Sequence, residues 1–172
     1  MYEALIDFLY KRNVKAEGAT LGNDFVYAIL VLLENASLDE VVRSTLSEMS
    51  KIKDLFLIVT RSIDIDQNMK LVSSLIQFVS NLCYGTGKFR KMLSQEPPSE
   101  FLATIEVILK ASEKEAAKPA ADGTKPPTDW EGEGKRVLLK QSTLGFVGNL
   151  CVDPKLRQHI ASDMGSVFTR VY

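Results

Sequence analysis

The stretch Ile-Gln-Phe-Val-Ser-Asn-Leu-Cys-Tyr-Gly, residues 76–85, is repeated in the chain as Leu-Gly-Phe-Val-Gly-Asn-Leu-Cys at residues 144–151. Asn81 and Asn149 occupy the same place in the two copies. Apolar residues in and before each copy keep helical spacing, and Gly85 opens a turn that ends the first copy. An internal repeat decides the fold class, because each copy is one structural unit. We read each copy as a long helix, a tight turn and a shorter helix.

The spacing between the copies gives the period of the repeat. Asn81 and Asn149 are 68 residues apart, but residues 113–134 between them differ in composition from the rest of the chain. Without these 22 residues the spacing is 46, which falls within the roughly 40–47 residues of repeat units built from two or three helices. Counting the same distance back from Asn81 reaches Asn35, the mark of a degenerate first copy. The sequence therefore predicts about three stacked helical units.

The phrase Ser-Asn-Leu-Cys-Tyr-Gly at residues 80–85 resembles the third helix of an armadillo repeat. The resemblance covers most of the chain as a pattern and is sharpest at residues 71–95 and 137–161. It implies an all-α fold, a right-handed α-solenoid of about three armadillo-like repeats whose third helices line a concave, protein-binding groove. It also implies a groove asparagine that bonds to the backbone of a partner. Asn81 and Asn149 match that position.

The same resemblance implies a partner-binding groove at Gln77, Asn81, Lys88, Gly145 and Asn149. Peptide-binding armadillo arrays often carry a tryptophan four residues before the asparagine, where this chain has Gln77 and Gly145. A basic peptide laid over tryptophan side chains is therefore not expected. The function that follows is non-enzymatic: a scaffold or adaptor that binds a protein partner. Two alternatives remain open, a regulator of small GTPases that stimulates exchange or dissociation, and a chaperone for myosin-type clients.

Length and composition are those of a single globular domain over residues 1–172, with 45% hydrophobic and 25% charged residues. A net charge of −1 and a pI near 5.9 argue against a nucleic-acid-binding surface. No apolar run reaches the roughly 18 residues of a membrane span, and the first residues lack the basic region of a signal peptide. We expect a cytoplasmic protein, with the nucleus as the alternative.

Neither a catalytic nor a metal-binding constellation is predicted, and no cofactor is expected. His159 is the only histidine, which removes most histidine-dependent sites. Asp64 and Asp66 begin like a calcium loop, but its glycine and final glutamate are missing, so Asp66 is interpreted as a helix cap. Cys83 and Cys151 are predicted to be buried thiols, because equivalent residues of stacked units lie about 10 Å apart, too far for a disulfide.

Residues 113–134 are predicted to form a flexible loop inserted into the array. They hold three of the six prolines, and Trp130 is their only bulky apolar residue, so burial there cannot offset the entropy of ordering. Asp129, Trp130 and Glu131 form an acidic-aromatic sequence that is a candidate docking loop. The alternative is a solvated loop whose tryptophan folds back onto a helix.

Local signals place several helix ends. Ser37 and Glu40 are spaced as a capping box, and Asp153 precedes a proline at the first position of a helix. A last helix is predicted to begin at residues 162–163. Its apolar face has no predicted cover within the chain and consists of Val167, Phe168, Val171 and Tyr172. We therefore expect either a longer array, of which this chain is the N-terminal part, or self-association through the C-terminal end.

Overall fold

The computed structural model describes residues 1–15, 23–85, 87–95, 99–113 and 130–171. Within these ranges the chain forms α-helices and no β-strand, which confirms the all-α prediction. None of the described helices is long and apolar enough to cross a membrane. The helices are α1 (Tyr2–Lys15), α2 (Asn23–Ala36), α3 (Glu40–Leu46), α4 (Lys51–Ser62), α5 (Met69–Leu82), α6 (Lys88–Gln95), α7 (Ser99–Ser112), α8 (Trp130–Leu150) and α9 (Pro154–Val171).

Helices that are three positions apart in the chain pack against each other. α2 contacts α5 and α5 contacts α8, which makes one row of long helices. α1, α4 and α7 make a second row, and α6 contacts α9 in a third. The arrangement therefore repeats every three helices, with α3 to α5 as one unit and α6 to α8 as the next. α1 and α2 correspond to the second and third helices of the preceding unit.

The N-terminus of α3 is capped by Asp39. Its Oδ1 accepts the backbone N–H groups of Val41 at 2.9 Å and Val42 at 3.0 Å. The prediction that Ser37 caps this helix is wrong, because Ser37 is fully buried and its hydroxyl donates to the carbonyl oxygen of Glu34 at 2.6 Å. A carboxylate directly before the helix satisfies the free N–H groups of the first turn, and the hydroxyl of Ser37 is left for other contacts.

The start of α9 agrees with the sequence prediction. Oδ1 of Asp153 accepts the N–H groups of Lys155 at 2.9 Å and Leu156 at 3.1 Å, and Pro154 is the first helical residue. Proline has no N–H to leave unsatisfied at this position. The aspartate and the proline together therefore fix the start of the helix.

Two other predicted helix starts are wrong. Ser162 and Asp163 lie inside α9, where the hydroxyl of Ser162 donates to the carbonyl of His159 at 3.0 Å. A serine that bonds back to its own helix does not interrupt it. α5 begins at Met69, three residues after Asp66, which is therefore not its cap. The side chains of residues 166–172 lie outside the described part of the chain, and with them the predicted apolar face.

α8 begins at Trp130, so the prediction of a loop across residues 131–134 is wrong. The carboxylate of Glu131 pairs with Lys135 one turn later at 2.7 Å and with Lys70 of α5 at 3.9 Å. An acidic side chain in the first turn, with its basic partner four residues on, stabilises a helix that the nearby glycines weaken. Asp129 and the side chain of Trp130 lie outside the described residues, where the predicted docking loop stays a prediction.

Three phenylalanines join α4, α7 and α8 in the core. Phe56, Phe101 and Phe146 are fully buried. The ring centroids of Phe56 and Phe101 are 4.8 Å apart, and those of Phe101 and Phe146 are 5.8 Å apart and nearly perpendicular, at 79°. Edge-to-face contacts of this kind add to the gain from burial. The cluster therefore ties α8 to the row formed by α4 and α7.

We expect Phe146→Ala to lower the free energy of unfolding by about 3–5 kcal/mol, because a large cavity would remain in the core. Urea denaturation followed by far-UV circular dichroism measures the change. Phe25→Ala is the control, since Phe25 is about half exposed on α2, and it should cost less than half as much. Equal losses for the two variants would contradict the assignment of Phe146 to the core.

Candidate functional site

Asn81 of α5 joins its helix to the end of α2. Its Nδ2 donates to the carbonyl oxygen of Glu34 at 3.2 Å and to the hydroxyl of Ser37 at 3.0 Å. A carbonyl oxygen can only accept, so the nitrogen of the amide must face α2. The side chain thus holds the C-terminal ends of two long helices together.

Asn149 of α8 makes the equivalent contact one unit later. Its Nδ2 donates to the hydroxyl of Ser80 at 2.9 Å and approaches the carbonyl oxygen of the same residue at 3.4 Å. Ser80 stands one residue before Asn81, as Glu34 stands one residue before Asn35. Each asparagine therefore binds the same backbone carbonyl of the preceding long helix.

These carbonyls explain why a donor is needed at this place. Glu34 and Ser80 lie in the last turn of α2 and of α5, where the regular backbone bonds of the helix end. Each carbonyl oxygen accepts one further bond from three residues on, from the hydroxyl of Ser37 at 2.6 Å or the N–H of Cys83 at 3.0 Å, and its second lone pair is open to the asparagine. The C-terminal end of a helix also carries partial negative charge, which favours a donor. The Nδ2 of Asn35 donates to the carbonyl oxygen of Val31 in its own helix at 2.7 Å.

The amide oxygens of Asn81 and Asn149 point the other way from these bonds. Both side chains are half-buried, and no donor of the described residues is bonded to either Oδ1. An amide oxygen has two lone pairs. The two asparagines can therefore each accept a hydrogen bond from outside the chain while they hold the long helices together.

A cavity of about 220 Å³ with a mixed polar and apolar lining lies between α2, α5 and α8, and Gln77 lines it. Tyr27 and Glu34 come from α2, and Leu138 comes from α8. A second cavity of about 280 Å³ lies towards the N-terminal ends of the same helices and shares Tyr27 and Lys70. The row of long helices thus presents two neighbouring depressions.

Ser73 places an unsatisfied hydroxyl next to the first cavity. Its side chain is buried, and its Oγ has no hydrogen-bond partner. Buried hydroxyl groups are normally paired, because an unpaired one costs free energy. Ser73 lines the cavity, but its Oγ has almost no accessible surface, so the unpaired hydroxyl lies buried behind the cavity wall.

Lys88 lies apart from these cavities. Its Nζ forms an ion pair with Glu48, which follows α3, and the oxygen of Ser44 lies 3.5 Å away. It lines another cavity, of about 330 Å³, between α6 and the turn after α3. The structure therefore does not bring Lys88 together with Gln77.

Gly145 is exposed on α8, and a Cβ built on it would meet nothing within 4 Å. A side chain would fit there, so packing does not require glycine. Of the five predicted groove residues, Gln77, Asn81 and Asn149 take part in the contacts and the cavity between the long helices. Gly145 is on the same row of helices but contributes no contact.

The two cysteines are free and differ in burial. Cys83 is fully buried and Cys151 partly so. Burial raises the pKa of the Cys83 thiol, and the positive charge of Arg90 opposes the rise. Burial likewise raises the pKa of Cys151, opposed by Arg157. Neither environment favours a reactive thiolate.

Sequence reasoning missed Ser37, Ser73 and Ser80. Ser37 and Ser80 receive the asparagine bonds, and Ser73 carries the unpaired hydroxyl behind the cavity wall. Ser80 could have been found from the repeat, because a period of 46 residues aligns it with Glu34. Ser37 has no such signal, since its capping-box spacing pointed to a different role.

Comparison of the chain with models of protein families, with curated proteins and with solved structures finds no match. In the part of the chain that the structure describes, no group of three histidine, cysteine or acidic residues is placed to hold a metal ion.

We expect Asn81→Ala to lower the free energy of unfolding by about 1–2 kcal/mol, because the hydroxyl of Ser37 loses its donor and the carbonyl oxygen of Glu34 loses one of two. Asn81→Asp should cost more, since an ionised carboxylate faces the same acceptors and cannot donate. The unfavourable surroundings raise the pKa of the substituted carboxyl in the folded state. The loss in free energy of unfolding that Asn81→Asp causes should therefore become smaller as the pH falls, because the carboxyl becomes protonated.

Asn35→Ala provides the matched control, because Asn35 is exposed and bonds only within its own helix. Urea denaturation at pH 7 and at pH 4 measures all three variants. The role of the amide nitrogen would be contradicted if Asn35→Ala lowered the free energy of unfolding as much as Asn81→Ala. It would also be contradicted if the destabilisation by Asn81→Asp were larger at pH 4 than at pH 7.

The cysteines provide a further prediction. In the folded protein iodoacetamide should modify Cys151 but not Cys83, because only the former is partly accessible. The rate at Cys151 should rise with pH, since the thiolate reacts and burial raises the pKa of this thiol. Mass spectrometry of peptides locates the modification, and both residues should react in urea. Equal native rates would contradict the burial of Cys83.

Proposed function

We propose that this chain is a non-enzymatic protein-interaction module of the armadillo type, a right-handed array of about three three-helix repeats. In this proposal a protein partner lies along the row formed by α2, α5 and α8. The observation that carries the proposal is the pair of equivalent asparagines, each of which joins two neighbouring long helices and keeps its amide oxygen unbonded.

The asparagine oxygens suit the backbone of a partner. An extended chain offers an N–H group at each residue except proline, and it needs acceptors for those that leave water. Internal bonds fix the orientation of Asn81 and Asn149, so little side-chain entropy remains to be lost on binding. Two acceptors one unit apart would hold a partner chain across the long helices.

The cavity between the long helices would contribute selectivity. Gln77 offers donors and an acceptor, and Glu34 and Lys70 bring charges of opposite sign. Sites that hydrogen-bond a partner discriminate against partners that leave those groups unpaired. We therefore expect polar side chains of the partner to enter here.

Site-specific photo-crosslinking tests the proposal. A benzophenone amino acid placed at Leu138, which lines the cavity and is 49% exposed, should form covalent adducts with the partner in cell extract. The same group at Val107 of α7, which is 55% exposed, should not. Val107 lies on a different row of helices and is the matched control for exposure.

Adducts at Val107 alone, or equally at both positions, would place the partner elsewhere and contradict the proposal.

Nucleotide release from a panel of small GTPases provides a separate measurement. Faster release in the presence of the protein would favour the regulator of small GTPases over a plain scaffold. We propose a cytoplasmic or nuclear location, which fluorescence microscopy of the tagged protein would test.

A further inference from the structure

The turns that follow the long helices each present one exposed apolar side chain. Leu38 follows α2, Tyr84 follows α5 and Val152 follows α8, at the same place in successive units. Their side chains are 66%, 65% and 64% exposed. Isolated exposed apolar residues are ordinary, but one in each unit at the same position is a surface feature. We call these three residues the apolar ladder.

Bonds between the units align the ladder. Asn81 is bound to Ser37 at the end of α2, and Asn149 is bound to the end of α5. Leu38 directly follows Ser37, and Tyr84 and Val152 each lie three residues after the asparagine of their own unit. Arg43 connects the first two positions directly. Its Nη1 donates to the carbonyl oxygen of Leu38 at 3.2 Å, and its guanidinium carbon lies 5.8 Å from the centre of the Tyr84 ring.

The charge next to the ladder is mostly basic. In residues 38–43, 84–91 and 152–157, six basic residues stand against three acidic ones. Arg43, Arg90 and Arg157 occur in the helix after each turn, and no carboxylate of the described residues pairs with any of them. Two of the acidic residues keep their negative charge but have an oxygen engaged in capping the next helix. Asp39 and Asp153 each accept two backbone N–H bonds from the first turn of the following helix.

We propose that the apolar ladder binds an acidic peptide in the polyproline II conformation, with an apolar residue at every third position. This surface lies at the C-terminal ends of the long helices, just beyond Asn81 and Asn149, and is separate from the cavity that Gln77 and Leu138 line. The partner is defined by its chemistry: apolar side chains on one edge, carboxylates between them, and a backbone without internal hydrogen bonds.

The spacing favours this conformation. Packed helices lie about 8–10 Å apart, and a polyproline II helix advances about 9 Å in one turn of three residues, with every third side chain on the same edge. A β-strand places residues three apart on opposite faces. An α-helix would match the spacing only at every seventh residue, and its backbone carbonyls are already bonded.

The arginines favour a peptide with free carbonyls. A polyproline II backbone is fully solvated and needs donors when it leaves water. Only one nitrogen of the Arg43 guanidinium is engaged, so its other N–H groups are available to a partner. Carboxylates of the peptide would pair with Arg90 and with Arg157, and exposed Tyr84 offers an aromatic face to proline rings.

Binding of fluorescent peptides, measured by anisotropy, tests the proposal. A peptide of three Leu-Pro-Glu units should bind in a saturable manner, and at higher salt its affinity should fall. A Leu-Pro-Lys peptide reverses the charge, a Ser-Pro-Glu peptide removes the apolar edge, and an acidic helical peptide with leucine at every seventh position changes the conformation. Each should bind at least about tenfold more weakly, which corresponds to the loss of about one good contact.

Variants of the chain locate the site. Tyr84→Ser, Leu38→Ser and Val152→Ser should each weaken binding of the Leu-Pro-Glu peptide, by about tenfold at Tyr84. All three side chains are exposed, so the fold should persist, and circular dichroism checks this. Val107→Ser on α7 is the control of matched exposure and should bind as the unchanged chain does.

The outcomes separate this surface from the face proposed above. Leu138→Ser should leave peptide affinity unchanged, whereas it alters the cavity at α2, α5 and α8. The proposal would be overturned if no saturable binding were found, or if the chain preferred the helical or the basic peptide. It would also be overturned if Val107→Ser weakened peptide binding as much as the substitutions in the apolar ladder. Weakening by Leu138→Ser but not by Tyr84→Ser would assign the peptide to the cavity and overturn it as well.

Discussion

The arrangement of this chain depends on an amide nitrogen that reaches from one long helix to the open carbonyl end of the previous one. Asn81 and Asn149 each supply that donor. A hydrogen bond of this kind contributes about 0.5–1.5 kcal/mol net, less than the burial of one large apolar side chain. Its importance lies in register, because a donor of fixed length fixes which turn of one helix lies beside which turn of the next.

The same bonds decide how the surface of the row is exposed. With the nitrogen turned inward, the oxygen of each asparagine faces outward, and the turns beyond the helices are brought into line. Asparagine at one position of the repeat thus takes part in packing between the long helices and borders two surfaces. One surface is formed by the cavities along α2, α5 and α8, and the other by the apolar residues at the ends of these helices. The core behind them, around Phe56, Phe101 and Phe146, holds the row in place.

Much of this was readable from the sequence, because a repeat fixes period and phase together. The period marked Asn81 and Asn149, and the aspartate-proline pair marked the start of α9. The predictions that were wrong are those in which two neighbouring residues or stretches offered different local structures. The prolines and the shortage of bulky apolar residues indicated a loop through residue 134, but α8 begins at Trp130, and Glu131 pairs there with Lys135 and Lys70. Ser37 had capping spacing, yet Asp39 lies nearer the helix. Lys88 was predicted to lie in the groove, although its ion-pair partner is Glu48 in the turn after α3.

The two asparagine contacts also differ in the length of chain that each must close during folding. Asn81 bonds to Ser37 across 44 residues, whereas Asn149 bonds to Ser80 across 69. Closure entropy grows with the logarithm of length, so the second contact costs about 0.4 kcal/mol more. Contacts that span more of the chain also form more slowly. We therefore expect α2 and α5 to pair first, and the half of the chain that carries α8 to add to a preformed template.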